Sequence, residues 1–147
     1  MRYLLCLSIL FAFTACSLEE RIERREDRLL GTWVIDKARF DEPNELFDDD
    51  VDADFKGDLI DFYRDGTTNY ESINNDFFTG FWRVVGLREE VDGERDVEFL
   101  LDAEFFFPDG TPAFTWVGRI TRLGGEDLTL RIQEPTGELR LQLDRVQ

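Results

Sequence analysis

The sequence predicts an all-β protein: an eight-stranded antiparallel up-and-down barrel, preceded by a signal peptide and a short N-terminal helix. Three observations lead there. Turn dipeptides recur between runs of β-branched, aromatic and leucine residues, the runs alternate apolar and polar side chains, and there are eight of them. An alternating run buries one face of a strand and wets the other. Eight such strands can close on themselves, which removes the exposed edges of an open sheet.

The first segment sets the compartment. Arg2 opens a short positive region, and Leu4 to Phe13 form an apolar run too short for a permanent bilayer span. Phe13-Thr14-Ala15-Cys16 resembles the bacterial lipobox, with Phe13 where Leu is usual, and this resemblance implies diacylglycerol on the Cys16 thiol. Residues 1–15 then read as a lipoprotein signal peptide and residues 16–30 as a lipidated N-terminus with a charged connector. Acyl chains contribute about 0.8 kcal/mol per buried CH₂, enough for a multiply acylated terminus to hold a small domain at a membrane. The expected location is the cell envelope, as an outer-membrane lipoprotein that is periplasmic or surface-exposed. Glu19 and Glu20, just behind the cysteine, resemble the surface-export signal of some Bacteroidota lipoproteins. In the connector, Leu18, Ile22 and Leu29 share one helical face, and Glu20 and Arg24 are an i,i+4 pair in the favourable order.

From Gly31 to Gln147 the chain reads as one barrel domain, with strands at about 31–40, 58–64, 67–73, 79–90, 95–107, 112–123, 127–133 and 138–145. Asp65-Gly66, Asp92-Gly93, Asp109-Gly110, Gly124-Gly125 and Pro135-Thr136-Gly137 punctuate them as hairpin turns. Alternation is cleanest in Leu128, Leu130, Ile132 and in Leu139, Leu141, Leu143. Val97, Phe99, Leu101, Ala103, Phe105 and Phe107 continue it, as do Phe114, Trp116, Gly118 and Ile120. Because each strand is joined to the next by a short turn, sequential pairing favours a meander over a Greek key.

Leu30-Gly31-Thr32-Trp33 resembles the G-x-W motif that opens lipocalins, and it follows a short helix as it does there. Ile60 to Thr67 resembles the second hairpin of bacterial lipocalin-like lipoproteins, and Gly80-Phe81-Trp82 the start of their fourth strand. The resemblance spans about residues 29–145. It implies that Trp33 closes one end of the barrel under an arginine from the last strand, for which Arg145 is the match, in a cation–π contact of about 0.5–2 kcal/mol. It also implies that the long first loop, residues 41–58, lies over the barrel mouth as an acidic lid.

Charge and chemistry narrow the function. Loss of Arg2 with the leader changes 33 acidic against 17 basic residues into 33 against 16, a formal charge of −17. A chain so acidic offers no evident basic patch for nucleic acid or an anionic membrane surface. The chain has no histidine, and its two cysteines, Cys6 and Cys16, leave no free thiol after processing and acylation. Lys37 and Lys56 are the only lysines, and no G-x-S-x-G occurs. We therefore expect no enzyme and no cofactor. Asp50, Asp52 and Asp54 have the spacing of a calcium loop. Phe55 stands where such a loop needs glycine, so the stretch reads better as a solvated, mobile segment.

Aromatic residues make up 14% of the chain and many fall on the expected inward face, so they either line an apolar pocket or fill a small core. The expected lining or core residues are Trp33, Phe62, Trp82, Phe99, Leu101, Phe105, Trp116, Leu130 and Leu141. Asn74, Asn75, Phe77 and Phe78 sit at a hairpin tip that could be a contact surface. Two functions follow: a membrane-anchored module holding a small apolar or amphipathic ligand in the barrel, or a filled barrel acting as an envelope interaction protein.

Overall fold

In the computed structural model the described residues are 17–147 except 44, 46, 92 and 93. The segment expected to be a signal peptide, Cys16, and the turn expected at Asp92-Gly93 lie outside them. The chain runs through α1 (Leu18–Leu29), β1 (Gly31–Asp41), β2 (Asp49–Asp50), α2 (Asp52–Phe55), β3 (Leu59–Phe62), β4 (Thr67–Glu71), β5 (Phe77–Val91), β6 (Glu94–Phe106), β7 (Pro112–Leu123), β8 (Asp127–Glu134) and β9 (Gly137–Arg145). Consecutive strands from β3 to β9 pair antiparallel, β1 pairs with β3 on one edge and β9 on the other, and the sheet closes into an eight-stranded up-and-down barrel. Closure runs from Trp33 opposite Arg145 to Asp41 opposite Glu138.

The alternation seen in the sequence is the alternation of burial. Leu128, Leu130 and Ile132 of β8 meet Leu139, Leu141 and Leu143 of β9 inside, with Phe99, Leu101, Ala103 and Phe105 of β6 facing them. Phe107 lies beyond the end of β6 and is exposed. In β1 the inward phase changes from Trp33 and Ile35 to Ala38 and Phe40, because a bulge between Ile35 and Lys37 adds one residue. Two of the turns are the same device: Asp65 and Asp109 each accept from the backbone N–H and hydroxyl of the threonine two residues on, Thr67 and Thr111, with Gly66 and Gly110 at positive φ between them.

The acidic stretch 41–58, expected as a mobile lid, is in large part ordered wall. β3 pairs with Gly31 to Val34 alone, so the outer half of β1 would have a bare edge. β2 covers it through Arg39 and Phe40, Asp52 accepts the Ala38 N–H at 2.6 Å, and Val51 and Phe55 pack against the core. Two apolar anchors and an unpaired strand edge favour order over the solvation that the nine carboxylates of this stretch suggest.

The helix closes one end. Ser17 caps α1 by accepting the Glu20 N–H, and acidic Glu19 and Glu20 and basic Arg28 complement the helix dipole. Leu18, Ile22 and Leu29 pack inward. β5 and β6 run on past their neighbours, since β4 pairs only with Phe77 to Phe81 and β7 only with Leu100 to Phe106. α1 packs across this unaccompanied part of the hairpin, at Gly86 and Phe99. Among the described residues no helix is long and apolar enough to cross a membrane.

Candidate functional site

Two places can carry function: the barrel interior and its outer surface. All nine residues expected to line the interior are buried there. At the helix end, Trp33 is fully buried and its indole N–H donates to the Leu29 carbonyl at 2.7 Å. The Arg145 guanidinium lies 4.3 Å from the Trp33 ring. That guanidinium also donates to the carbonyls of Arg28, Leu30 and Gly125, at 2.5, 2.6 and 2.6 Å, so one side chain fixes the helix C-terminus, the entry to β1 and the β7–β8 turn. Phe62 and Trp82 meet edge to face at 5.1 Å, and the Trp82 indole N–H donates to the Tyr63 carbonyl.

At the opposite end the interior is aromatic. Tyr70 is its hub, with ring centroids of Phe105, Phe114 and Trp116 at 5.7, 5.5 and 5.5 Å and that of Phe78 at 5.9 Å. Its phenol donates to Asp58 Oδ2, while Asp58 Oδ1 accepts the Ile73 N–H at 2.8 Å. Asp58 is 1% exposed, a buried carboxylate held by two donors. Burial, with the Asp58 carboxylate beside it, raises the Tyr70 phenol above its ordinary value. The sequence places Asp58 only near the later positions of the calcium-loop spacing and does not pair it with Tyr70, because one carboxylate among 33 carries no mark of its partner.

The outer surface holds several clefts. One, of about 570 Å³, lies between Thr67, Asn69, Thr79, Phe81, Phe106 and Gly110. A second, of about 230 Å³, separates the acidic flank of α1 (Glu23, Glu26, Asp27) from Arg64 and Trp82. Across the helix, a third of about 100 Å³ is lined by Arg25, Arg28 and Arg122 with Ile120, Thr121 and Leu123. This basic surface differs from the expectation that so acidic a chain has no basic patch; tertiary packing assembles it from β7 and one flank of the helix.

The calcium candidates do not converge. Asp50 pairs with Arg39 and accepts the Asp52 N–H, Asp52 turns to Ala38, and Asp54 is exposed on α2. Among the described residues no three carboxylates are grouped to hold a metal ion. Asn74 and Asn75 form the exposed β4–β5 turn, with Asn75 at φ 64°; Phe77 is exposed, whereas Phe78 turns into the aromatic cluster. Compared with protein families, with curated proteins and with solved structures, the chain finds no match.

Proposed function

We propose that this chain is a lipocalin-like lipoprotein of the cell envelope, tethered through acylated Cys16, whose barrel is filled by its own side chains and which works by its outer surface. The observation that carries this reading is the interior. Trp33, Phe62, Phe105, Leu101, Leu130 and Leu141 are all at most 2% exposed, and the Tyr70 cluster occupies the end away from the helix. Interiors packed this way leave no room for a guest without displacing a side chain, so a ligand in the barrel would have to move Tyr70, Phe105 or Trp116. The G-x-W glycine and tryptophan under Arg145 support the lipocalin-like assignment, and the lipobox-like segment supports the tether. A non-enzymatic role is supported by the lack of histidine and of any thiol beyond Cys6 and Cys16.

Native mass spectrometry of the purified protein, with an apolar fluorescent probe titrated against its tryptophans, tests the interior. No retained lipid besides the N-terminal acyl chains and no energy transfer to the probe are expected; a stoichiometric bound lipid would favour a ligand-holding barrel instead. For the tether, Cys16→Ser should leave the protein unprocessed or released, and palmitate labelling that survives the change would remove the anchor from the proposal.

A further inference from the structure

The charges of α1 are segregated about its axis. At 3.6 residues per turn, Leu18, Ile22 and Leu29 form the inward stripe, Glu19, Glu23, Glu26 and Asp27 fall to one side, and Arg21, Arg25 and Arg28 to the other. The fold gives the acidic side its partners: Asp27 pairs with Arg64 at 2.9 Å, and Glu26 accepts the Val84 N–H at 3.1 Å. The arginine side is turned toward β6 and β7, where it meets another arginine, Arg122.

Carboxylates outnumber lysine and arginine 33 to 17 in this chain, so an arginine without one is the exception. Yet among the described residues Arg21, Arg25 and Arg28 have no carboxylate within ion-pairing distance. Nearby Asp127 is engaged by Arg122, and Glu98 by Arg119. Arg25 is held with its guanidinium 3.5 Å from the centre of the Phe99 ring. Burial and the like charges of Arg21 and Arg28 lower its proton affinity. Helix-dipole complementarity accounts for Arg28 and the Phe99 ring for Arg25; neither accounts for bringing both beside Arg122.

We infer that the cleft between Arg25, Arg28 and Arg122 is a binding site for a phosphate-class oxyanion. Guanidinium forks match the oxygens of such an anion in bidentate geometry, and the Thr121 hydroxyl lines the same cleft. Ile120 and Leu123, both half-buried, line the cleft beside them. The volume of about 100 Å³ equals that of about three waters, room for one tetrahedral anion. The overall charge of −16 does not forbid it: at physiological salt carboxylates beyond about 8 Å are largely screened, and at the cleft the Asp127 carboxylate, paired with Arg122, is outnumbered by the guanidinium groups of Arg25, Arg28 and Arg122. Free phosphate and the phosphodiester of a lipid headgroup share this chemistry, and the site does not depend on the lipid tether.

The test uses the full chain in nonionic detergent micelles, titrated calorimetrically in two arms: inorganic phosphate, and phosphatidylglycerol doped into the micelles. Saturable binding in either arm is expected, and the responding arm identifies the source. Arg28→Gln and Arg122→Gln, on separate elements, should each weaken it about tenfold or more, the scale of one lost charge-assisted contact. Arg24→Gln removes the same charge from the same helix outside the cleft and should change it less than about twofold. If one cleft variant fails to unfold cooperatively, the other decides alone. Saturation in neither arm, or equal weakening by Arg24→Gln, overturns the site.

Discussion

Gly31 shows why a motif glycine stands where it does. Its φ of +111° is strained for any side chain, and a Cβ there would sit 3.0 Å from Arg145 Nη1. Gly31→Ala should cost about 1–3 kcal/mol, and Trp33→Ala about 3–5 kcal/mol, both read from denaturant midpoints. Tyr70 carries the pH prediction. Its raised folded value means that the folded state holds the phenolic proton more tightly, so its contribution is complete below the unfolded phenol value of about 10 and is lost as pH rises above it. Stability should fall there by up to about 1.4 kcal/mol per pH unit more than in Tyr70→Phe. Urea unfolding of both proteins across this range checks it, and parallel slopes would contradict it. Asp65 and Asp109 act at the other extreme: hydrogen bonds from Thr67 and Thr111 lower both carboxyls, so what they contribute is present at neutral pH and fades as acid protonates them in the folded state.

Among the elements, α1 is the one whose existence was legible in the chain while its place was not. Leu18, Ile22 and Leu29 announce an inward stripe, but nothing local says that they will meet Gly86 and Phe99 on an overlong hairpin. A Cβ at Gly86 would lie 2.8 Å from Leu18 Cδ1 and 3.4 Å from Ile22 Cδ1. Gly86→Leu should therefore lift the first turns of α1 from the barrel, read as faster tryptic cleavage at Arg21, Arg24 and Arg25, while the cooperative transition of the strands persists. Unchanged cleavage would mean that the helix is held chiefly by Leu29 and Arg145. The same limit hid β2 and α2. Acidic composition suggests solvent, whereas order there follows from an edge of β1 that β3 is too short to cover. The hairpin strands were readable because alternation and D-G-T turns are local signals.

At the scale of the molecule the barrel should unfold as one cooperative unit, because β1 and β9, the first and last barrel strands in sequence, close it. Ending the chain at Thr136 would remove β9, uncover both β1 and β8, and take Leu139, Leu141, Leu143 and Arg145 from the core. No cooperative thermal transition should survive that truncation; one that did would show that the wall stands open without its last strand. The sequence by itself determined the eight barrel strands, their order and most of the side chains that face inward, since a period of two and a short turn are set by neighbours along the chain. It also determined the excess of negative charge. Only the tertiary structure decided that the Tyr70 cluster gathers at one end of the barrel, that Asp58 meets Tyr70, and that arginines from α1 and β7 share a cleft. Those contacts join residues far apart in sequence, and in a chain with so many carboxylates no local pattern says which of them each arginine will meet.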